Sequence, residues 1–159
     1  MKLLRTPFSR RRSLALLGAL PLAYAVQSEA EPPPQVIVHR DPSCGCCGAW
    51  AEHLRRAGFP VKIVETSNLN VIKQRRGVPV DLVSCHTAEV AGYVVEGHVP
   101  AGAIRRLLAE KPQAAGLAVP GMPIGSPGME GGAPDTYEVV LFGAQVRRTF
   151  ARYKGDREL

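Results

Sequence analysis

Val36-Ile37-Val38-His39-Arg40-Asp41-Pro42-Ser43-Cys44-Gly45-Cys46-Cys47-Gly48-Ala49-Trp50 is the stretch on which the fold turns. Val36-Ile37-Val38 is a short continuous apolar run, which suits a strand covered on both faces. Three cysteines follow at once, introduced by Asp41-Pro42-Ser43. From Ala49 the pattern turns helical, with Trp50, Leu54 and Ala57 on one stripe and Gly58 then Pro60 as the stop. A strand, a cysteine-bearing loop and a helix N-terminus thus succeed one another directly. At such a terminus unpaired amides and the helix dipole favour thiolate over thiol.

Outward from this stretch, residues 61–65 predict a second strand. Ser67 or Asn68 can cap a helix through Arg76, with Leu69 and Ile72 inward and Gly77 at its end. Ser84-Cys85-His86-Thr87 precedes two strand-like runs, residues 88–91 and 93–95, separated by Gly92. Pro100 stands near the first turn of a helix carrying Ile104, Leu107 and Leu108 and ended by Pro112. Residues 116–134 hold six glycines and four prolines in 19 positions, so no regular element is expected there. Residues 137–142 and 146–153 predict a terminal hairpin turning at Gly143-Ala144-Gln145.

This order predicts an α/β fold: a single thioredoxin-like domain over residues 36–153, a mixed sheet flanked by helices, with a long Gly/Pro-rich loop and a C-terminal hairpin. Residues 31–35 read as a Pro-rich linker and 154–159 as a polar tail. In such a domain the loop before the third strand faces the cysteine motif across the sheet end, which would bring Cys85 to the other three cysteines.

Residues 1–30 read as an export signal: Lys2, Arg5, Arg10, Arg11 and Arg12, then an apolar run from Leu14 to Val26. The run is too short to span a bilayer as a mature helix, so no membrane association is expected after cleavage. Ala23-Tyr24-Ala25 and Ser28-Glu29-Ala30 both offer a cleavage site, the second leaving Glu31-Pro32-Pro33-Pro34 as the new terminus. Ser9-Arg10-Arg11-Arg12-Ser13-Leu14 resembles a twin-arginine signal except at Ser13, which leaves the export route open. Five of the 20 basic residues belong to the leader, and the rest of the chain carries 15 basic and 13 acidic side chains. That near balance argues against a nucleic-acid partner.

Four cysteines in an exported domain must either close disulfides or share a soft metal. Adjacent Cys46 and Cys47 are poorly placed to bridge each other, because a disulfide wants Cα atoms about 4.4–6.8 Å apart and neighbours sit at about 3.8 Å. A disulfide reading therefore pairs Cys44 with Cys47 and Cys46 with Cys85, or leaves thiols unpaired. A metal reading points to Cu(I), with zinc as the alternative for a Cys/His tetrahedron. Methionine favours copper. Met122 and Met129 both stand in the Gly/Pro loop, where each is a candidate ligand or an apolar pin. His86 adjoins Cys85 as ligand or supporting partner, and His98 is a candidate ligand or a hydrogen-bonded turn residue. His53 is expected at the surface, about 10 Å along the helix from Cys46.

Four strings carry a resemblance: Asp41-Pro42-Ser43-Cys44-Gly45-Cys46-Cys47-Gly48-Ala49-Trp50; Ser84-Cys85-His86-Thr87-Ala88; Glu96-Gly97-His98-Val99-Pro100; and Pro120-Gly121-Met122-Pro123 through Gly125-Ser126-Pro127-Gly128-Met129-Glu130. From about Val36 to Tyr153 the chain resembles the CopG-type family of exported metal-binding proteins, thioredoxin-like in fold and encoded with bacterial copper-resistance functions. The resemblance implies a periplasmic location and copper bound by clustered cysteines with help from His and Met. It extends to more than one thiolate-bridged ion, to interconversion of Cu(I) and Cu(II), and to other periplasmic copper-handling proteins as partners. Two readings compete with it. One is a thiol-disulfide oxidoreductase using Cys44 and Cys47, against which stands Cys85-His86 where such enzymes place a proline. The other is an inert disulfide-stapled binding module.

Overall fold

The structure, a computed structural model, describes residues 32–159. The predicted export signal lies outside the described residues. Among the described residues no helix is long and apolar enough to cross a membrane.

Strand β1 (Val36–Arg40), helix α1 (Gly45–Arg56) and strand β2 (Val61–Glu65) form a parallel βαβ unit with Val36 opposite Val61. Val36 and Val38 are fully buried and Ile37 half-buried, so β1 is covered completely on one face only. Helix α1 begins at Gly45, four residues before the expected start, with Cys44 at the N-cap position. The cysteines form its first turn, and their lack of an apolar stripe hid it in the sequence. Gly58 at φ +85° ends the α1 connection as expected.

Helix α2 (Leu69–Arg75) and a short 3-10 helix (Val80–Leu82) lead to strand β3 (His86–Val90), antiparallel to β1, and strand β4 (Tyr93–Glu96), antiparallel to β3. Helix α3 (Ala101–Glu110) then returns the chain to strand β5 (Gly116–Ala118), parallel to β4. Strand β5 falls where the glycine and proline content predicted no regular element. Glycine is what permits it, since a Cβ at Gly116 would collide with the Val94 backbone. Strands β6 (Thr136–Phe142) and β7 (Arg147–Lys154) make the expected hairpin, and β8 (Arg157–Glu158) pairs with β7 inside the segment read as a polar tail. The result is a mixed α/β fold with one eight-stranded sheet in the order β2-β1-β3-β4-β5-β6-β7-β8.

Strand alternation sends side chains to two apolar layers. On one face Val36, Val38, Val95, Leu117, Val139 and Leu141 pack with Trp50 and Leu54 of α1 and Ile104 and Leu107 of α3. On the other, Val94, Ala118 and Phe142 meet Val78 and Leu82. Register then decides where the chemistry goes. Arg40 pairs with His86, Thr87 with Glu96, and Glu96 with Ala118. The loop into α1, the residues before β3, the turn after β4 and the long loop after β5 therefore all leave the sheet at the same end.

Candidate metal centre

Cys44, Cys46 and Cys47 sit on the first turn of α1, and Cys85 immediately before β3. One sulfur each from these four residues lies within 4.8 Å of every other. Cys44 and Cys47 are joined as a disulfide, with Cα atoms 5.5 Å apart, while Cys46 and Cys85 are free thiols. Cys46 Sγ stands 3.5 Å from Cys44 Sγ and 3.8 Å from Cys85 Sγ. Of the pairings left open by the sequence, the first therefore forms and the second remains as two neighbouring thiols.

Cys85 is also the hinge to a second donor group. Its sulfur lies 3.3 Å from His86 Nδ1 and 3.0 Å from His98 Nε2, and these three ligand atoms too lie within 4.8 Å of one another. His98 Nδ1–H donates to the Pro127 carbonyl at 2.8 Å, which leaves the Nε2 lone pair facing Cys85. His86 is fully buried against Trp50, ring centroids 4.3 Å apart, and its Nε2 has no hydrogen-bond partner. Trp50 is in turn fixed by donating Nε1–H to the Val99 carbonyl at 2.9 Å. Burial lowers the pKa of His98 and pushes that of His86 well below 6.5, so both are neutral imidazoles, the form that ligates metal. Burial, reinforced by the nearby Cys46, pushes the Cys85 thiol up to about 12.

A polar network that sequence reasoning missed supports the Cys85 segment from behind. Glu96, fully buried at the end of β4, accepts hydrogen bonds from Lys73 Nζ (2.5 Å), Thr87 Oγ1 (2.7 Å) and the Ser84 backbone N–H (2.7 Å). Burial raises the Glu96 pKa against the opposing pull of Lys73. The available signal was a carboxylate closing an apolar strand, which must be paired when buried. Breaking such a pair costs about 3–5 kcal/mol, because it strands a charge. Gly97 adds a second constraint: it has φ +70°, and a Cβ there would lie 2.7 Å from the Val119 carbonyl.

The Gly/Pro loop closes over the same end. Gly128 at φ +86° packs so tightly on α1 that a Cβ would lie 2.7 Å from the Trp50 nitrogen and 2.8 Å from the Cys46 carbonyl. Met129 follows it and is half-buried, while Met122 is 52% exposed. The structure thus gathers Cys44, Cys46, Cys47, Cys85, His86 and His98, and keeps both methionines on the Gly/Pro loop. His53 is not a plain surface residue, since its Nε2 accepts the Ala101 backbone N–H at 3.1 Å and so satisfies one free donor at the start of α3.

The solved structure named "Copper resistance protein copG- Form 1" is 45% identical to this chain, covers 77% of it and 99% of its own length, and superposes with a TM-score of 0.72. The chain belongs to the CopG copper-resistance family. A second CopG structure, named Form 2, agrees at 45% identity and TM-score 0.72, covering 76% of this chain and 98% of that one. A family model described as "Protein of unknown function, DUF411" matches residues 82–129, the span from the 3-10 helix to Met129. No curated protein matches the chain. CopG membership and the Cys/His cluster together support a copper-related metal-binding role. The donor set fits that role: soft sulfur from the cysteines and neutral imidazole from His86 and His98.

Proposed function

We propose that the protein is a periplasmic copper-binding protein that serves copper resistance by sequestering the ion or passing it to other periplasmic copper-handling proteins. Copper is held chiefly as Cu(I) by Cys44, Cys46, Cys47 and Cys85 with His86 and His98, and Met122 and Met129 contribute thioethers from the loop. Sulfur favours Cu(I) while imidazole tolerates Cu(II), so the mixed donor set supports interconversion, and bridging thiolates support more than one ion. The observation that carries this reading is the position of Cys85 Sγ, 3.8 Å from Cys46 Sγ and 3.0 Å from His98 Nε2. Export rests on the leader, residues 1–30. The thioredoxin-like assignment is supported by the parallel β1-α1-β2 unit followed by antiparallel β3 and β4 and by α3.

Titration of the reduced protein with Cu(I) against a competing chelator tests this. Affinity should fall by several orders of magnitude when Cys44, Cys46 and Cys47 are all changed to Ser, and equal affinity in the two proteins removes the reading. The Cys44–Cys47 disulfide favours a second reading, a thiol-disulfide oxidoreductase. Catalysed disulfide reduction by metal-free protein, lost in Cys44→Ser, would establish it.

A further inference from the structure

We propose that Glu96 is a positioning residue for the metal centre: its carboxylate, with Lys73 as counter-ion, holds both ends of the Cys85-His86 dipeptide and so fixes that sulfur and imidazole in place before the ion arrives. This rests on the copper-binding reading above and adds a residue, outside the donor set, that sets the affinity of the site.

Cys85 lies just before β3, outside the regular elements. The residues on either side of Cys85-His86 both donate to one carboxylate: the Ser84 backbone N–H to Glu96 Oε1 and Thr87 Oγ1 to Glu96 Oε2, each at 2.7 Å. Lys73 Nζ completes the clamp, donating to Oε1 at 2.5 Å and to Thr87 Oγ1 at 3.0 Å. The next two residues continue the hold. Gly97 N–H donates to the His86 carbonyl at 3.0 Å, and His98 Nε2 stands 3.0 Å from Cys85 Sγ. Three consecutive residues, Glu96 to His98, therefore secure the dipeptide from both flanks and present the remaining imidazole to it.

Strand alternation separates the clamp from the donors. His86 packs on Trp50 of α1, whereas Thr87 and Glu96 point to the other face of the sheet, where Val94, two residues before Glu96, meets Val78 and Leu82. Glu96 is not itself a metal donor, since both of its oxygens are taken up by Lys73, Ser84 and Thr87. Stability gives little reason for the ion pair, because apolar residues of similar volume usually serve a buried position as well or better. Its geometry gives a reason: a segment already held pays less ordering entropy when it binds, and side chains that orient ligands govern metal affinity.

The test compares two double variants that remove the charges together. K73M/E96L leaves Ser84 N–H without an acceptor, whereas K73M/E96Q keeps a carbonyl for it and an amide N–H to donate to Thr87 Oγ1. Titrated with Cu(I) against a competing chelator, reduced K73M/E96L should bind about 10–100-fold more weakly than wild type, and K73M/E96Q within about threefold of it. In metal-free protein the Ser84 amide, followed by NMR hydrogen exchange, should be slowed at least about 100-fold relative to an unstructured chain in wild type and K73M/E96Q, and near the unstructured rate in K73M/E96L. Leu141→Ala, in the core on β6, should lower the urea midpoint and leave Cu(I) affinity unchanged, which separates positioning from overall stability. Wild-type affinity in K73M/E96L, no rescue by glutamine, affinity that tracks stability in Leu141→Ala, or an unprotected Ser84 amide in wild type each overturns the assignment. Should neither double variant fold, Thr87→Val, which frees one end of the dipeptide and keeps the ion pair, decides: about tenfold weaker Cu(I) binding supports the clamp and unchanged binding removes it. Failure of wild-type protein to bind Cu(I) overturns the copper-binding reading itself, whereas equal binding by wild type and K73M/E96L overturns only the role of Glu96.

Discussion

Cys85 is the residue that the two donor groups share. Burial pushes its thiol up to about 12, so in metal-free protein it stands neutral at physiological pH, pointing its proton at His98 Nε2. Ligation must displace that proton, which makes copper uptake easier as pH rises. The same burial predicts slow chemistry at this sulfur. In metal-free protein at about pH 8, iodoacetamide should modify Cys85 at least ~100-fold more slowly than free cysteine, read by timed quench and peptide mass spectrometry. Modification at the rate of free cysteine would show that Cys85 is ionised. Its partner His98 reads differently at this scale: the sequence left it open between ligand and hydrogen-bonded turn residue, and the geometry gives Nδ1 the hydrogen bond to Pro127 and turns Nε2 toward Cys85.

At the scale of elements, the long loop acts as a fixed cover held down at Gly128. That glycine needs its positive φ and also needs to lack a side chain, because the first turn of α1 leaves no room. Gly121, earlier in the same loop at φ +67°, has nothing within 4 Å of its missing Cβ. The pair separates strain from collision. Gly121→Ala should cost about 1 kcal/mol in urea unfolding, and Gly128→Ala about 2 kcal/mol or more, with weakened Cu(I) binding as the loop lifts from α1 and the Pro127 carbonyl leaves His98. Equal costs would mean that the loop is not seated on the helix. The loop was recognisable from its glycines and prolines, but β5 within it was not, since three residues give too short a pattern to outweigh a glycine. Helix α1 was placed correctly except for its first turn, where cysteine and glycine carry no periodicity.

For the molecule as a whole, burying two neutral histidines ties stability to pH. The unfolded chain takes up protons near pH 6.5 that folded His86 and His98 refuse, because burial lowers both folded pKa values. Their contribution is complete above the unfolded value and is lost as pH falls below it, by about 1.4 kcal/mol per pH unit for each histidine. Glu96, raised by burial, works with the opposite sign and softens the loss at the acid end. Urea midpoints of metal-free protein should therefore drop clearly between about pH 7.5 and about pH 5.5. A midpoint unchanged or higher at the lower pH would mean that the histidines are not buried neutral.

The sequence by itself determined the order of the main elements, the cysteine spacing that admits a Cys44–Cys47 bond and disfavours a Cys46–Cys47 one, and the residue types suited to a soft metal. These follow from local rules: apolar periodicity, Cα separation along the chain, and the softness of sulfur. Only the tertiary structure decided that Cys85, His86 and His98 meet the first turn of α1, because that depends on Arg40 pairing with His86 and Thr87 with Glu96 across the sheet. It alone revealed the Lys73–Glu96 pair and the orphaned Nε2 of His86. Burial and partnership between residues far apart in the chain are properties of the packed sheet and leave no periodic trace in the order of amino acids.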